Sequence, residues 1–133
     1  MAETVPVHPG LFTADGDGGP SLVAGRCRAC SRLQFPRAAV CQYCGGDEID
    51  EELLSNPGSL WAWTAVTAAP PGYRGEVPFG FGVVELPEGL RVLTRLTEPD
   101  PTRLRFGDEV RLAIVPLHVD DEGRTVVTWA YGP

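Results

Sequence analysis

The chain has no lysine. All eleven of its basic residues are arginines, set against eighteen Asp and Glu, for a formal net charge of −7. So acidic a chain repels phosphate backbones, which sets generic nucleic-acid binding aside as a default. No apolar run approaches ~18 residues, so the pattern excludes a transmembrane helix. Residues 1–10 carry neither a basic n-region nor an apolar h-region, so the expected location is the cytoplasm rather than a secretory route. Disulfides are not expected in that reducing compartment. Histidine is scarce: there are only His8 and His118, and neither sits beside a Cys or Ser motif that would pair a nucleophile with a base. GxGxxG, Walker, HExxH and GxSxG motifs are all missing. A self-sufficient enzyme is therefore not expected.

What remains is an ordinary globular composition. The chain has 133 residues, 43% hydrophobic and 22% charged, enough for one real core and a small appendage. Sixteen glycines and thirteen prolines favour short strands joined by turns over long helices. Residues 1–24 read as an N-terminal arm, punctuated by Pro6, Pro9 and a Gly/Asp breaker run over residues 15–20. Residues 25–54 hold all four cysteines and end in an acidic stretch, residues 47–52, that reads as a solvated connector. Residues 55–133 read as strands. Residues 60–67 alternate with period two, which predicts Trp61 and Trp63 on one face. Further strands are expected over residues 79–86, 90–97, 109–119 and 125–131, with one short helical turn within residues 98–105. Five such strands predict a small antiparallel barrel of the OB-fold kind.

The strongest local signal is Cys27-x-x-Cys30 followed by Cys41-x-x-Cys44. Each CxxC puts two thiolates on one tight turn, and two facing turns make a tetrahedral four-sulfur cage. Four protein ligands leave no open coordination position, so the metal is expected to be structural. Zinc is the expected ion, with iron as the competitor for the same ligand set. Ser31 stands after Cys30 where Gly45 stands after Cys44, which makes the first knuckle the less ideal of the two. Arg26, Arg28, Arg32 and Arg37 flank the site and are available to offset its negative charge.

One loop also stands out. Pro70, Pro71, Tyr73 and Arg74, with Phe79 and Phe81 just beyond, combine prolyl stiffness with side chains common at interfaces. The loop is read as facing a partner or an acyl-CoA, with a CoA phosphate as the candidate contact of Arg74. Arg91, Arg95, Arg103, Arg105 and Arg111 are the residues a nucleic-acid reading of the barrel would use.

Taken in order, the motifs resemble a known family. They are Cys27-Arg-Ala-Cys30, Phe35-Pro36, Cys41-Gln-Tyr-Cys44-Gly45, Gly58-Ser-Leu-Trp-Ala-Trp-Thr64, Pro70-Pro-Gly-Tyr73, Pro78-Phe-Gly-Phe-Gly-Val-Val-Glu-Leu86 and Phe106-Gly-Asp108. Together they resemble the acyl-CoA-associated proteins with a rubredoxin-like zinc ribbon fused to an OB-fold, long catalogued as a domain of unknown function. Gly10-Leu-Phe-Thr13 is similar to a subgroup found beside thiolase-like proteins. The resemblance implies a mainly β chain, with an N-terminal zinc ribbon followed by a five-stranded antiparallel OB-fold barrel. It also implies a non-catalytic accessory subunit of a thiolase or retro-aldolase acting on lipid- or steroid-type CoA thioesters. The expected partner is a thiolase-like enzyme in a hetero-oligomer with acyl-CoA near the interface, and neither nucleic acid nor membrane. The alternative is an OB-fold/zinc-ribbon nucleic-acid-binding module.

Overall fold

The computed structural model describes residues 3–13 and 19–133. Part of the Gly/Asp breaker run, residues 15–18, lies outside the described residues. The described residues form ten strands and one 3-10 turn: β1 (Thr4–Pro6), β2 (Phe12–Thr13), β3 (Ser21–Cys27), β4 (Leu33–Gln34), β5 (Ile49–Leu53), β6 (Gly58–Val66), β7 (Phe79–Glu85), β8 (Arg91–Leu96), the turn Pro101–Arg103, β9 (Glu109–Val119) and β10 (Thr125–Gly132). No helix among the described residues is long and apolar enough to cross a membrane.

β6 to β10 close into a barrel. β6 pairs β7, β7 pairs β8, β9 pairs β10 and β6 pairs β9, all antiparallel. The last seam is parallel, with Tyr131 of β10 opposite Leu96 of β8. The barrel is therefore mixed, which corrects the expectation of a purely antiparallel one. The physical reason is topological: β10 returns alongside β8 in the same direction, and this closes the sheet and removes its free edges.

Closure depends on small residues inside. Gly80 and Gly82 alternate with Phe79 and Phe81 along β7 and face inward, buried. A methyl group on Gly80 would collide with the Glu98 carbonyl, and one on Gly82 with the Ala62 carbonyl. The space they leave is filled by a core of Leu60, Val84, Val92, Leu96, Val110 and Tyr131. Burial pushes the Tyr131 hydroxyl up to about 12, with the Glu88 carboxylate adding to the shift.

A bulge between Leu60 and Ala62 breaks the two-residue period of β6. Trp61 is exposed with the Arg91 guanidinium 4.3 Å from its ring centroid, whereas Trp63 packs against the core and donates from Nε1 to the Pro101 carbonyl at 2.9 Å. The two tryptophans do not share a face, contrary to the pattern.

The N-terminal segment is stitched to the body. β1 adds in parallel to β10, and β2 pairs β3. Phe12 and Phe35 both pack on Trp129, with ring centroids 6.3 and 5.6 Å away. β3 contributes Leu22 and Ala24 to the same core as the barrel residues, so the cysteine-bearing segment and the barrel are welded through shared apolar burial.

Candidate metal centre and docking loop

The metal centre is built on a three-stranded unit in which β3 lies between β4 and β5. Cys27 ends β3, and Cys30 follows on a tight turn closed by the Ser31 amide donating to the Cys27 carbonyl at 2.9 Å. The second knuckle repeats this geometry, with the Gly45 amide donating to the Cys41 carbonyl at 3.0 Å. Both turns need a left-handed residue, supplied by Ser31 (φ 65°) and Gly45 (φ 78°). Ser31 thus does the job of a glycine, at a steric cost an L-residue does not ordinarily accept.

The four sulfurs lie within 4.8 Å of one another, at 3.5 Å for Cys27 to Cys44 and 3.6 Å for Cys30 to Cys41. A tetrahedron with ~2.3 Å metal–sulfur bonds has edges of roughly 3.8 Å, so the cluster has the size of a four-thiolate cage. All four cysteines are free, with no disulfide between them. Backbone amides point at the sulfurs: Tyr43 N–H reaches Cys41 Sγ and Gly46 N–H reaches Cys44 Sγ, both at 3.4 Å. Amides of Cys44 and Tyr43, with the neighbouring thiols, pull the Cys41 thiol down to about 6. At Cys44 the Gly46 amide pulls downward, but the Cys27 thiol, burial and the other two thiols push it up to about 11. Four sulfurs packed so closely cannot all ionise without a cation among them, which is what a divalent metal supplies. The four thiols that the spacing singles out are gathered in one cluster of a size that can hold a metal ion.

The flanking arginines and acidic stretch behave differently from expectation. Residues 47–52 are not a connector, because β5 begins there and pairs β3 along five positions. Its carboxylates take the arginines one by one. Arg26 donates to Glu52 at 2.7 and 2.9 Å, Arg28 to Asp50 at 3.0 Å and Arg37 to Glu51 at 3.1 Å. Arg32 lies over the Tyr43 ring at 5.0 Å. Three carboxylates in the five residues of β5 hid the strand from the sequence reading.

One positioning residue, Gln34, and one positioning role, that of Arg26, escape the sequence reading. Gln34 is buried; its amide nitrogen donates to the Val40 carbonyl at 3.3 Å and its oxygen accepts from the Gln42 amide at 3.0 Å, framing the second knuckle. Arg26 also donates to the Ser31 carbonyl at 2.6 Å, bracing the first. A Gln flanked by Leu33 and Phe35 is the signal the sequence offered for the former.

The loop residues separate into two groups. Tyr73 stacks on Phe79, ring centroids 5.0 Å apart, and the Arg95 guanidinium covers the Phe79 ring at 4.7 Å. Arg95 also donates to the Tyr73 hydroxyl at 2.8 Å, and that hydroxyl donates to the Glu76 carbonyl at 2.8 Å. Pro70 and Pro71 are exposed at the start of the turn. Arg74 turns away to the β9–β10 hairpin, reaching Asp121 at 3.3 Å and the Val119 carbonyl at 3.4 Å. Phe81 points outward from the sheet, directly opposite Arg95 across the β7–β8 ladder. Beside the clamp lies a cleft of about 220 Å³ with Pro78, Pro99, Pro116 and Arg95 in its wall, below the size that encloses a drug-sized ligand. Of the arginines a nucleic-acid reading would use, Arg91, Arg103 and Arg111 are paired with Glu85, Glu98 and Glu109.

Residues 20–50 match the family model described as the ChsH2 rubredoxin-like zinc ribbon domain, and residues 51–115 match that described as the ChsH2 C-terminal OB-fold domain. The chain belongs to this zinc-ribbon/OB-fold family. It is 32% identical to the benzoylsuccinyl-CoA thiolase subunit BbsA of Thauera aromatica, over 93% of this chain and 85% of that protein. It is 30% identical to a DUF35 domain-containing scaffold protein of Pyrococcus furiosus, over 84% of this chain and 82% of the relative. Among solved structures, the Ltp2-ChsH2(DUF35) aldolase matches with a TM-score of 0.63 and 28% identity, covering 85% of this chain and 84% of that one. These family members are thus a thiolase subunit, a scaffold protein and a chain of an aldolase complex.

Proposed function

We propose that this chain is the non-catalytic accessory subunit of a cytoplasmic thiolase-superfamily enzyme, a thiolase or retro-aldolase acting on lipid- or steroid-type CoA thioesters. The observation that carries the reading is the near full-length similarity to a CoA thiolase subunit, on a chain whose four cysteines are gathered in one closed cluster. The partner supplies the nucleophile and the bases.

The metal at the cluster is zinc. It supplies folding free energy to a segment too short to hold a core of its own, and a four-thiolate cage leaves no position for substrate. Cys27, Cys30, Cys41 and Cys44 hold it. The barrel presents the loop from Pro70 to Phe81 toward the enzyme. Its Tyr73–Phe79–Arg95 clamp fixes the loop before docking, so little entropy is lost when it meets the partner. Pro70, Pro71, Tyr73, Arg74, Phe79 and Phe81 shape the approach of the acyl-CoA, and Arg74 exchanges its exposed Asp121 partner for a CoA phosphate.

Affinity purification from the native host at low salt, with mass spectrometry and metal analysis, tests the reading. A thiolase-like protein at fixed ratio and one colourless zinc per chain are expected. A chain that emerges alone or with nucleic acid overturns the subunit reading, and a red iron centre overturns the zinc assignment.

A further inference from the structure

The outer side of the β6–β7–β8 sheet carries an uncovered apolar face. Across the ladders, Val83 stands opposite both Leu93 and Ala62, and Phe81 stands opposite both Arg95 and Thr64. Two adjacent rows therefore cross three strands. Leu93 is 66% exposed and Phe81 38%, with Trp61 at 41% beside them in the bulge. Contiguous apolar surface of this kind marks an interaction site, whereas isolated exposed side chains do not.

The charge on the face is as distinctive. Its one carboxylate in these rows' border, Glu85, is neutralised by Arg91 at 3.0 Å. Arg95 has no carboxylate within 4.0 Å among the described residues, and its hydrogen bond goes to a phenol. On a chain of net charge −7, this face is apolar with a single unmatched positive charge. It is complementary to an apolar surface bearing a carboxylate.

We infer that this face, centred on Leu93 and Phe81, is where the thiolase-type partner docks, covering Leu93 with apolar side chains and meeting Arg95 with an acidic one. The inference rests on the accessory-subunit reading above. A second copy of the chain fits less well, because two-fold pairing joins two acidic chains and sets Arg95 near its own copy. A single-stranded nucleic acid needs a basic groove alongside the aromatic rings, and here one guanidinium is unmatched.

The test uses the full chain and the thiolase-like subunit that co-purifies with it, each expressed and purified. Leu93→Glu is expected to weaken their association at least about tenfold, as for a central interface residue, with metal content and melting temperature unchanged. Hydrogen exchange of the wild-type complex is expected to show new protection over β7 and β8. Equal affinity of wild type and Leu93→Glu overturns the face while leaving the subunit reading intact. Should the variant not fold, protection lying elsewhere on the wild-type chain overturns it equally. A wild-type chain that does not bind the thiolase-like subunit overturns both. Protection of β7 and β8 by a single-stranded oligonucleotide instead of the enzyme assigns the face to nucleic acid and overturns the inference.

Discussion

Arg95 donates a hydrogen bond to the Tyr73 hydroxyl at 2.8 Å, joining strand β8 to a loop twenty-two residues away in sequence. With the Tyr73 ring and the guanidinium both packed on the Phe79 ring, the bond turns a Pro/Gly loop into a fixed feature of the barrel surface. Tyr73→Phe keeps the ring stacking and removes the hydroxyl. It is expected to cost about 1 kcal/mol of stability and to speed amide exchange in residues 72–77, leaving the metal centre unchanged. Urea unfolding with exchange mass spectrometry checks both.

The ribbon is expected to depend on a metal held by its four thiols. Structural zinc sites in small domains contribute an apparent ~10–16 kcal/mol at neutral pH. Stripping the metal with a strong chelator is expected to expose four reactive thiols per chain and to lower the melting temperature steeply. Cys27→Ser is expected to lose the metal altogether, since that sulfur is buried and within 3.5 Å of its neighbour. Thiol titration alongside metal analysis reads out both.

Acid should weaken the β3–β5 pairing in a predictable window. Hydrogen bonds from Arg26 hold the Glu52 carboxyl below the usual carboxylate range, against a smaller opposing effect of burial. A depressed folded-state value means the pair stabilises the fold above the unfolded value, ~4.3. That contribution is lost as pH falls through the lower folded value. Glu52→Gln is expected to flatten this part of the acid limb and to leave the slope near pH 7 alone. Melting temperatures measured from pH 7 down to pH 3 give the comparison.

Ser31 occupies a left-handed conformation (φ 65°) while its amide and carbonyl both hold the first knuckle. Glycine adopts that backbone without strain and keeps both backbone bonds. Ser31→Gly is therefore expected to raise stability by about 1 kcal/mol, seen as a higher urea midpoint at unchanged metal content.

Much of this was legible in the chain itself, for definite reasons. The barrel strands announced themselves because runs rich in β-branched and aromatic residues lie between Pro/Gly turns, and along β7 and β8 buried residues recur at every second position. The cysteine frame announced itself because tetrahedral ligation permits few spacings. The bulge at Trp61 was invisible, since one extra residue in a strand leaves no mark in composition while reversing which face follows. β5 was masked by its own carboxylates, whose partners on β3 and beyond lie more than a dozen residues away. The parallel seam between β8 and β10 is a property of topology and has no local signature. Arg95 stood in the sequence as one of five barrel arginines. Only the fold shows that three of those are paired with carboxylates while Arg95 clamps the loop.

The central claim is that this chain serves a catalytic partner, and reconstitution tests it most directly. Cleavage of an acyl-CoA thioester is measured for the purified thiolase-like subunit alone, for this chain alone, and for the two mixed at equal concentration. The account predicts no turnover from this chain alone and activity or stability of the partner that rises on mixing and saturates at a fixed ratio. A partner equally active and equally stable without this chain, or turnover by this chain alone, would contradict it.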